Sequence, residues 1–219
     1  MTAIDYSPLP VRPRRPRTPR SLAWRIVFSW WQMRRAVRQL CSLRPREAEL
    51  LLWLTVSNLF FFASWTMKLL LVPRPAALSV FSPEIGGLFA GSILGRTLAL
   101  YLAAAAIALV IRAAGGRGGW TETRIALFWT ALVTAPFGFL AAVASVLVAW
   151  LGTHYAIFDA HWLRILPYWV GVVPFVWYLA QALSAAHGLR RPAAVFTWLC
   201  LATLVALLAS LYLHARFGL

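Results

Sequence analysis

Acidic residues are scarce in this chain of 219 residues, in which Asp and Glu total 6 against 21 Lys and Arg, for a formal net charge of +15. The sequence therefore offers little material for catalysis by paired carboxylates. Cysteine is also rare, with 2 residues. We expect no disulfide between them, because Cys41 lies in a charged N-terminal segment and Cys200 in an apolar one.

Recognisable catalytic and cofactor motifs are missing as well. The sequence has no Ser/His/Asp set, no phosphate-binding glycine loop and no haem motif. His154, Asp159 and His161 lie close together, but their spacing matches no established metal site. The sequence therefore predicts a non-enzymatic protein with no catalytic residues, no metal ion and no cofactor.

Charged residues make up only 12% of the chain, whereas 61% is hydrophobic and the mean hydropathy is +0.72. A soluble domain of this size would need more charge to cover its surface. Within residues 42–219, five apolar segments exceed the roughly 20 residues that a helix needs to cross about 30 Å of hydrocarbon. Strand-like alternation is absent, so the predicted fold is an all-α integral membrane bundle of five transmembrane helices. The spans are about 50–72, 85–111, 125–151, 163–186 and 193–213.

Basic residues are sorted between the two ends of these spans. Sixteen precede the first span or lie in the second and fourth connections, whereas four lie on the other side and Arg96 lies within a span. The positive-inside rule therefore predicts a cytoplasmic N-terminus and a periplasmic C-terminus. Twenty Arg with a single Lys, in an Ala- and Leu-rich chain, suggest a bacterial genome of high GC content. The predicted location is thus a bacterial inner membrane.

The first 41 residues differ from the rest. Residues 1–20 are rich in Pro and Arg and predict a disordered, extended basic tail. Residues 21–41 have helical periodicity and predict an amphipathic helix at the membrane surface, in contact with anionic lipids. A helix that binds a protein partner on the cytoplasmic side stays open as the alternative, and no nucleic acid is expected. The apolar stripe of this helix is Leu22, Ile26, Trp30, Met33, Val37 and Leu40. The candidate surface residues are Arg25, Trp30, Arg34, Arg35 and Arg38.

Three polar residues stand out within the predicted spans: Arg96, Asn58 and Gln181. An ionised side chain in hydrocarbon costs roughly 2.5–3.5 kcal/mol on insertion scales. For Arg96 we expect snorkelling to the outer head groups, or pairing with Glu84 or Asp159, rather than a substrate site. Asn58 and Gln181 are expected to form hydrogen bonds between helices.

One connection carries a recognisable pattern. Gly115-Gly116-Arg117-Gly118-Gly119-Trp120 forms a glycine-rich turn, which leads to a basic residue, Arg124, and then to Ala135-Pro136. This pattern resembles the central signature of bacterial members of the Yip (Ypt-interacting protein) membrane-domain family. The segment Leu43-Arg44-Pro45-Arg46-Glu47, before the first span, is also similar to the lead-in of those proteins. The signature residues are Gly115, Gly116, Gly118, Arg124 and Pro136.

The resemblance covers about residues 42–213 and implies five helices with a cytoplasmic N-terminus. Eukaryotic relatives act in vesicle trafficking and bind prenylated Rab GTPases, but their Asp-Leu-Tyr-Gly-Pro-type signature has no counterpart here. The expected function is therefore that of a membrane scaffold or adaptor, which organises lipids or partner proteins. A small transporter or channel stays open as the alternative, because Arg96 and the prolines within the spans are also typical of transport proteins.

Overall fold

The computed structural model of the chain describes residues 21–72, 82–113, 115–116 and 118–217. The basic tail predicted for residues 1–20 lies outside the described residues. Regular structure in the described ranges is helical, without strands. The helices are α1 (Leu22–Leu43), α2 (Glu47–Leu71), α3 (Pro83–Ala90), α4 (Arg96–Ala113), α5 (Trp120–Gly152), α6 (His161–Ala186) and α7 (Pro192–Phe217). A π-helical turn, Gly91–Gly95, joins α3 to α4, and a short 3-10 turn, Ala156–Asp159, precedes α6.

Four helical segments of the described chain are long and apolar enough to cross a membrane. These segments confirm the all-helical prediction and are typical of a multipass membrane protein. The apolar part of α7, Pro192–Val205, is shorter than a membrane crossing, so the fifth span stays a prediction. The four segments are Glu47–Leu71, Pro83–Ala113, Trp120–Gly152 and His161–Ala186.

Helix α5 lies at the centre and packs against α1, α2, α4 and α6. Its residues 125–134 are all buried, and Phe128 and Trp129 are fully inaccessible. The outer faces of the neighbouring helices instead expose large apolar side chains such as Leu98, Leu109 and Val170. Such an arrangement suits lipid as the solvent, since the exposed apolar side chains then lie in hydrocarbon.

The apolar stripe of α1 does not face lipid along its whole length. Met33, Val37 and Leu40 are at most 3% exposed and belong to the core that α5 and α6 also build. The Trp30 indole donates a hydrogen bond of 2.9 Å to the Val133 carbonyl of α5. This difference from the predicted surface helix has a simple reason, since periodicity identifies an apolar face without saying whether lipid or protein covers it. The opposite face of α1 is exposed.

Two ends of the bundle can be named by their connections. The glycine-turn end contains the α4–α5 connection, where the backbone of Gly115 has a φ of 81° that favours glycine. The α6–α7 connection lies at the same end, because Gly118 packs directly against His187. The opposite end, here called the loop end, contains the α5–α6 connection, residues 153–160.

Candidate functional site

A cavity of about 450 Å³ lies between α2, α4, α5 and α6. It exists because one face of α5 carries only small side chains at helical spacing, namely Ala131, Ala135, Gly138 and Ala142. Helix α6 contributes Gly171, where an added Cβ would lie 3.5 Å from the Gly138 Cα, so the two backbones approach closely there. Small residues let the helices meet at this point and leave space beside it.

Arg96 points into this cavity from the first turn of α4. Its Nη1 donates a hydrogen bond of 3.2 Å to the Ser57 hydroxyl and another to the Asn58 side-chain carbonyl, both on α2. The Asn58 amide in turn donates to the Thr97 hydroxyl at 2.8 Å. The Phe61 ring lies 5.0 Å from the guanidinium carbon. Arg96 is therefore held in place by neutral groups of α2.

The position of Arg96 differs from the prediction. We expected it to reach the outer head groups or to pair with Glu84 or Asp159, but Asp159 pairs with Arg164 and Arg96 lies with Asn58 and Ser57. Sequence cannot give the rotation of a helix precisely, and here the π-helical turn Gly91–Gly95 changes the helical phase just before Arg96. Among the described residues, no ion pair involves Arg96.

Lys68 of α2 supplies a second positive charge to the cavity. Its ammonium donates a hydrogen bond of 2.7 Å to the Tyr168 hydroxyl of α6. It also lies 4.5 Å from the centre of the Trp65 ring and 4.2 Å from the centre of the Tyr168 ring, within the range of cation–π attraction. In the lining as the structure describes it, two cations face the cavity and acidic side chains do not.

Three hydroxyl groups of the cavity lining donate hydrogen bonds within their own helices. Ser64, Thr134 and Ser145 each donate to the carbonyl four residues earlier in their own helix, at 2.7 to 2.8 Å. Their protons are thus occupied, and the strongest donors left for a ligand are the remaining N–H groups of Arg96 and Lys68. The hydrogen bonds of Arg96 run through Nη1 alone, and a guanidinium has five N–H donors.

The signature residues lie elsewhere, and most of them have packing roles. Arg124 binds the Glu47 carboxylate at 2.7 Å, and Tyr101 donates to the same carboxylate at 2.5 Å, which ties α2, α4 and α5 together at the glycine-turn end. Pro136 has no N–H, so α5 lacks the backbone hydrogen bond that this residue would otherwise donate. The Trp30 indole donates to the Val133 carbonyl in the same turn of α5. Gly116 and Gly118 pack tightly against Ile111 and His187.

His187 was not singled out by the sequence. It is 2% exposed, its Nε2 lies 3.0 Å from the Thr123 hydroxyl, and its Nδ1 lies against the backbone of Gly118. Burial lowers the pKa of His187, although the nearby Glu122 and the backbone of Gly118 oppose this effect. A lone histidine after a helix carries no sequence signal, so its contact with Gly118 could only be found from the structure.

The candidate surface residues of α1 fall into two groups. Trp30 and Arg34 contact the protein, with Arg34 donating to the Leu189 carbonyl at 3.4 Å, and Arg25 lies over the Trp129 ring at 5.3 Å. Arg35 and Arg38 are exposed. Burial raises the pKa of Cys41 on the same helix to about 11, which disfavours the nucleophilic thiolate at neutral pH.

The remaining predicted residue, Gln181, is half-buried on α6 and is not part of the cavity lining. The described residues contain no group of three His, Cys, Asp or Glu side chains that could hold a metal ion. No family model, curated protein or solved structure matches the chain. The resemblance to the Yip family therefore rests on its sequence signature, and the function has to be argued from the cavity.

Proposed function

We propose that the protein binds an amphipathic anion within the membrane, in the cavity at Arg96, as the binding site of a small transporter. The observation that carries this proposal is the arrangement of Arg96, whose described partners are the neutral Ser57 and Asn58. A cation beside a mostly apolar lining attracts an anion more strongly than it would in bulk water, because the local dielectric constant is lower. Ionisable residues within a membrane are default candidates for such a site.

The shape and lining of the cavity define the class of ligand. A volume of about 450 Å³ suits a molecule of moderate size. Most of the lining is apolar, with Leu100, Val172 and Phe175 beside the two cations. A guanidinium binds carboxylates and phosphates through paired hydrogen bonds. The ligand is therefore expected to have one carboxylate or phosphate group and an apolar body.

A binding experiment with cis-parinaric acid, a fluorescent fatty acid, tests the proposal. The purified protein in detergent should transfer excitation energy from its tryptophans to the bound acid, in a saturable manner. Arg96→Gln should weaken this binding by about tenfold to a hundredfold, because a hydrogen bond to a charged group contributes roughly 1.5–3 kcal/mol. Arg190→Gln serves as the matched control, since Arg190 is exposed in the α6–α7 connection.

Competition by lysophosphatidic acid extends the test to phosphate, and parinaric methyl ester provides the neutral comparison. If the ester binds as tightly as the acid, or if Arg96→Gln binds as well as the wild type, the site does not recognise charge and the proposal fails. Arg96→Lys keeps the positive charge and should retain part of the affinity, which separates the loss of charge from misfolding.

The scaffold or adaptor function remains a second proposal, and the exposed face of α1 supports it. Trp31 is 74% exposed and lies beside Arg35 and Arg38, a combination that suits the head-group region of an anionic membrane surface. Together with the predicted inner-membrane location and cytoplasmic N-terminus, this face would meet anionic lipids or a partner from the cytoplasm. Arg35→Gln combined with Arg38→Gln should reduce co-purification of anionic lipids, and unchanged lipid content would contradict this proposal.

A further inference from the structure

A second chamber of about 460 Å³ lies between the Arg96 cavity and the loop end. Its lining includes Asp159 and Arg164, whose side chains are 61% and 58% exposed, so this chamber reaches the surface of the protein. Four residues line both chambers, namely Trp65, Lys68, Ser145 and Tyr168. We call these four residues the neck, because they form the boundary through which the two spaces adjoin.

Within the described ranges, the positive charge at the neck forms no ion pair with a carboxylate. The Lys68 ammonium is held by the Tyr168 hydroxyl at 2.7 Å and by two aromatic rings, all of them neutral. The acid of the second chamber, Asp159, is paired with Arg164. Lys68 therefore gives the second chamber a net positive charge at its inner boundary, as Arg96 does for the first.

On the side of the glycine-turn end, tightly packed side chains lie next to the Arg96 cavity. Towards the glycine-turn end, Trp53, Leu54 and Phe128 are at most 3% exposed, and the rings of Trp53 and Trp129 pack edge to face at 4.9 Å. The cluster of Arg124, Glu47 and Tyr101 lies beyond them. Among the described residues, the neck therefore joins the Arg96 cavity to the second chamber, whereas packed side chains separate it from the glycine-turn end.

We propose that anions reach the Arg96 cavity from the loop end, and that Lys68 at the neck is a second anion site on this route. This inference rests on the proposed binding of an anion at Arg96. An anion that arrives at the neck would take the place of the Tyr168 hydroxyl on the Lys68 ammonium. The order of cations from the surface inward is then Arg164, Lys68 and Arg96, with Arg164 already paired.

Accessibility of an introduced cysteine tests the route without knowledge of the ligand. In a background of Cys41→Ser and Cys200→Ser, Thr134→Cys places a thiol in the lining, and Thr130→Cys places one in the closed core one turn away on α5. Both threonines are buried and donate to the carbonyl four residues earlier, so they are closely matched. Tyr155→Cys marks the loop end, and Arg190→Cys marks the glycine-turn end.

The probes are two membrane-impermeant methanethiosulfonates, one with a sulfonate and one with a trimethylammonium group, applied to one side of reconstituted vesicles at a time. Thr134→Cys should react from the side on which Tyr155→Cys reacts, faster with the sulfonate, whereas Thr130→Cys should not react. Lys68→Met should lower the ratio of the sulfonate rate to the trimethylammonium rate about tenfold, as expected when a charge that steers anions is removed. Lys68→Arg should keep the ratio.

Several outcomes would overturn the inference. One is a Thr134→Cys thiol that does not react, or that reacts from the side of the membrane on which Arg190→Cys reacts. Another is a Lys68→Met variant in which Thr134→Cys still reacts but the ratio of the sulfonate rate to the trimethylammonium rate is unchanged. The test is separate from parinaric acid binding. If the cysteine experiment finds the route but Arg96→Gln binds parinaric acid normally, the proposed function fails while the route stands. If Arg96→Gln loses binding but the cysteine experiment finds no route, the anion site stands and this route is excluded.

Discussion

Replacing Asn58 by Asp separates the charge of Arg96 from its packing. The Asn58 side-chain oxygen already accepts a hydrogen bond from Arg96, so a carboxylate of nearly the same shape would occupy the same place. An anion bound to Arg96 would then lie about 6 Å from a like charge. At an effective dielectric constant near 20, the repulsion is about 3 kcal/mol, or roughly a hundredfold in affinity. Asn58→Asp should therefore abolish measurable binding of parinaric acid.

The folded protein itself should tolerate this change. The new carboxylate is paired with Arg96 and still accepts the hydrogen bond that Asn58 accepts. The hydrogen bond from the Asn58 amide to the Thr97 hydroxyl is lost, but this hydroxyl can turn and donate to the carboxylate instead. Unfolding in mixed micelles of increasing SDS fraction should show a midpoint equal to or above that of the wild type. Asn58→Leu is the control, because it keeps the charge of Arg96 exposed to the ligand and should retain binding if the variant folds. Normal binding in Asn58→Asp would refute the electrostatic reasoning.

Two further predictions concern the glycine-turn end. Gly118→Ala should lower the free energy of unfolding by about 1–3 kcal/mol, because the new Cβ would lie 2.6 Å from His187 Nδ1, whereas Gly86→Ala, with no atom within 4 Å, should not. SDS unfolding measures both, and equal midpoints would contradict the close contact. Because burial lowers the pKa of His187, stability should be fully present above the usual histidine pKa of about 6.5 and should fall as the pH drops below it. His187→Gln should flatten this dependence between pH 7 and 5, and an unchanged slope would assign it to other groups.

The long apolar helices could be predicted from the sequence, because an apolar segment of this length in a membrane satisfies its backbone hydrogen bonds as a helix. The predicted span 125–151 corresponds to α5, Trp120–Gly152, and 163–186 to α6, His161–Ala186. The observed helix ends differ from the predicted span ends by up to five residues. The reason is that polar residues such as Glu122 can extend a helix beyond the hydrocarbon. Glu122 accepts from the Gly119 N–H at 2.9 Å and so stabilises the first turn of α5.

The contacts between helices were not predictable in the same way. The stripe of α1 identified an apolar face, but an apolar face suits lipid and protein equally well, and Val37 is fully buried in the core. The rotation of α4 depends on the π-helical turn before it, which adds one residue to a helical turn and leaves no clear mark in the sequence. Without that rotation, the contact of Arg96 with Asn58 cannot be inferred from spacing.

The scarcity of acidic residues connects the composition to the proposed site. The acids of the described chain that form ion pairs are Glu47 and Asp159, which pair with Arg124 and Arg164 towards the two ends of the bundle. Arg96 and Lys68 are left with amide, hydroxyl and aromatic groups, which solvate a cation without neutralising it. A protein that needed Arg96 only to join two helices could do so with a neutral side chain at lower cost in hydrocarbon. An arginine beside a cavity, held by neutral groups alone among the described residues, therefore supports the proposed anion site.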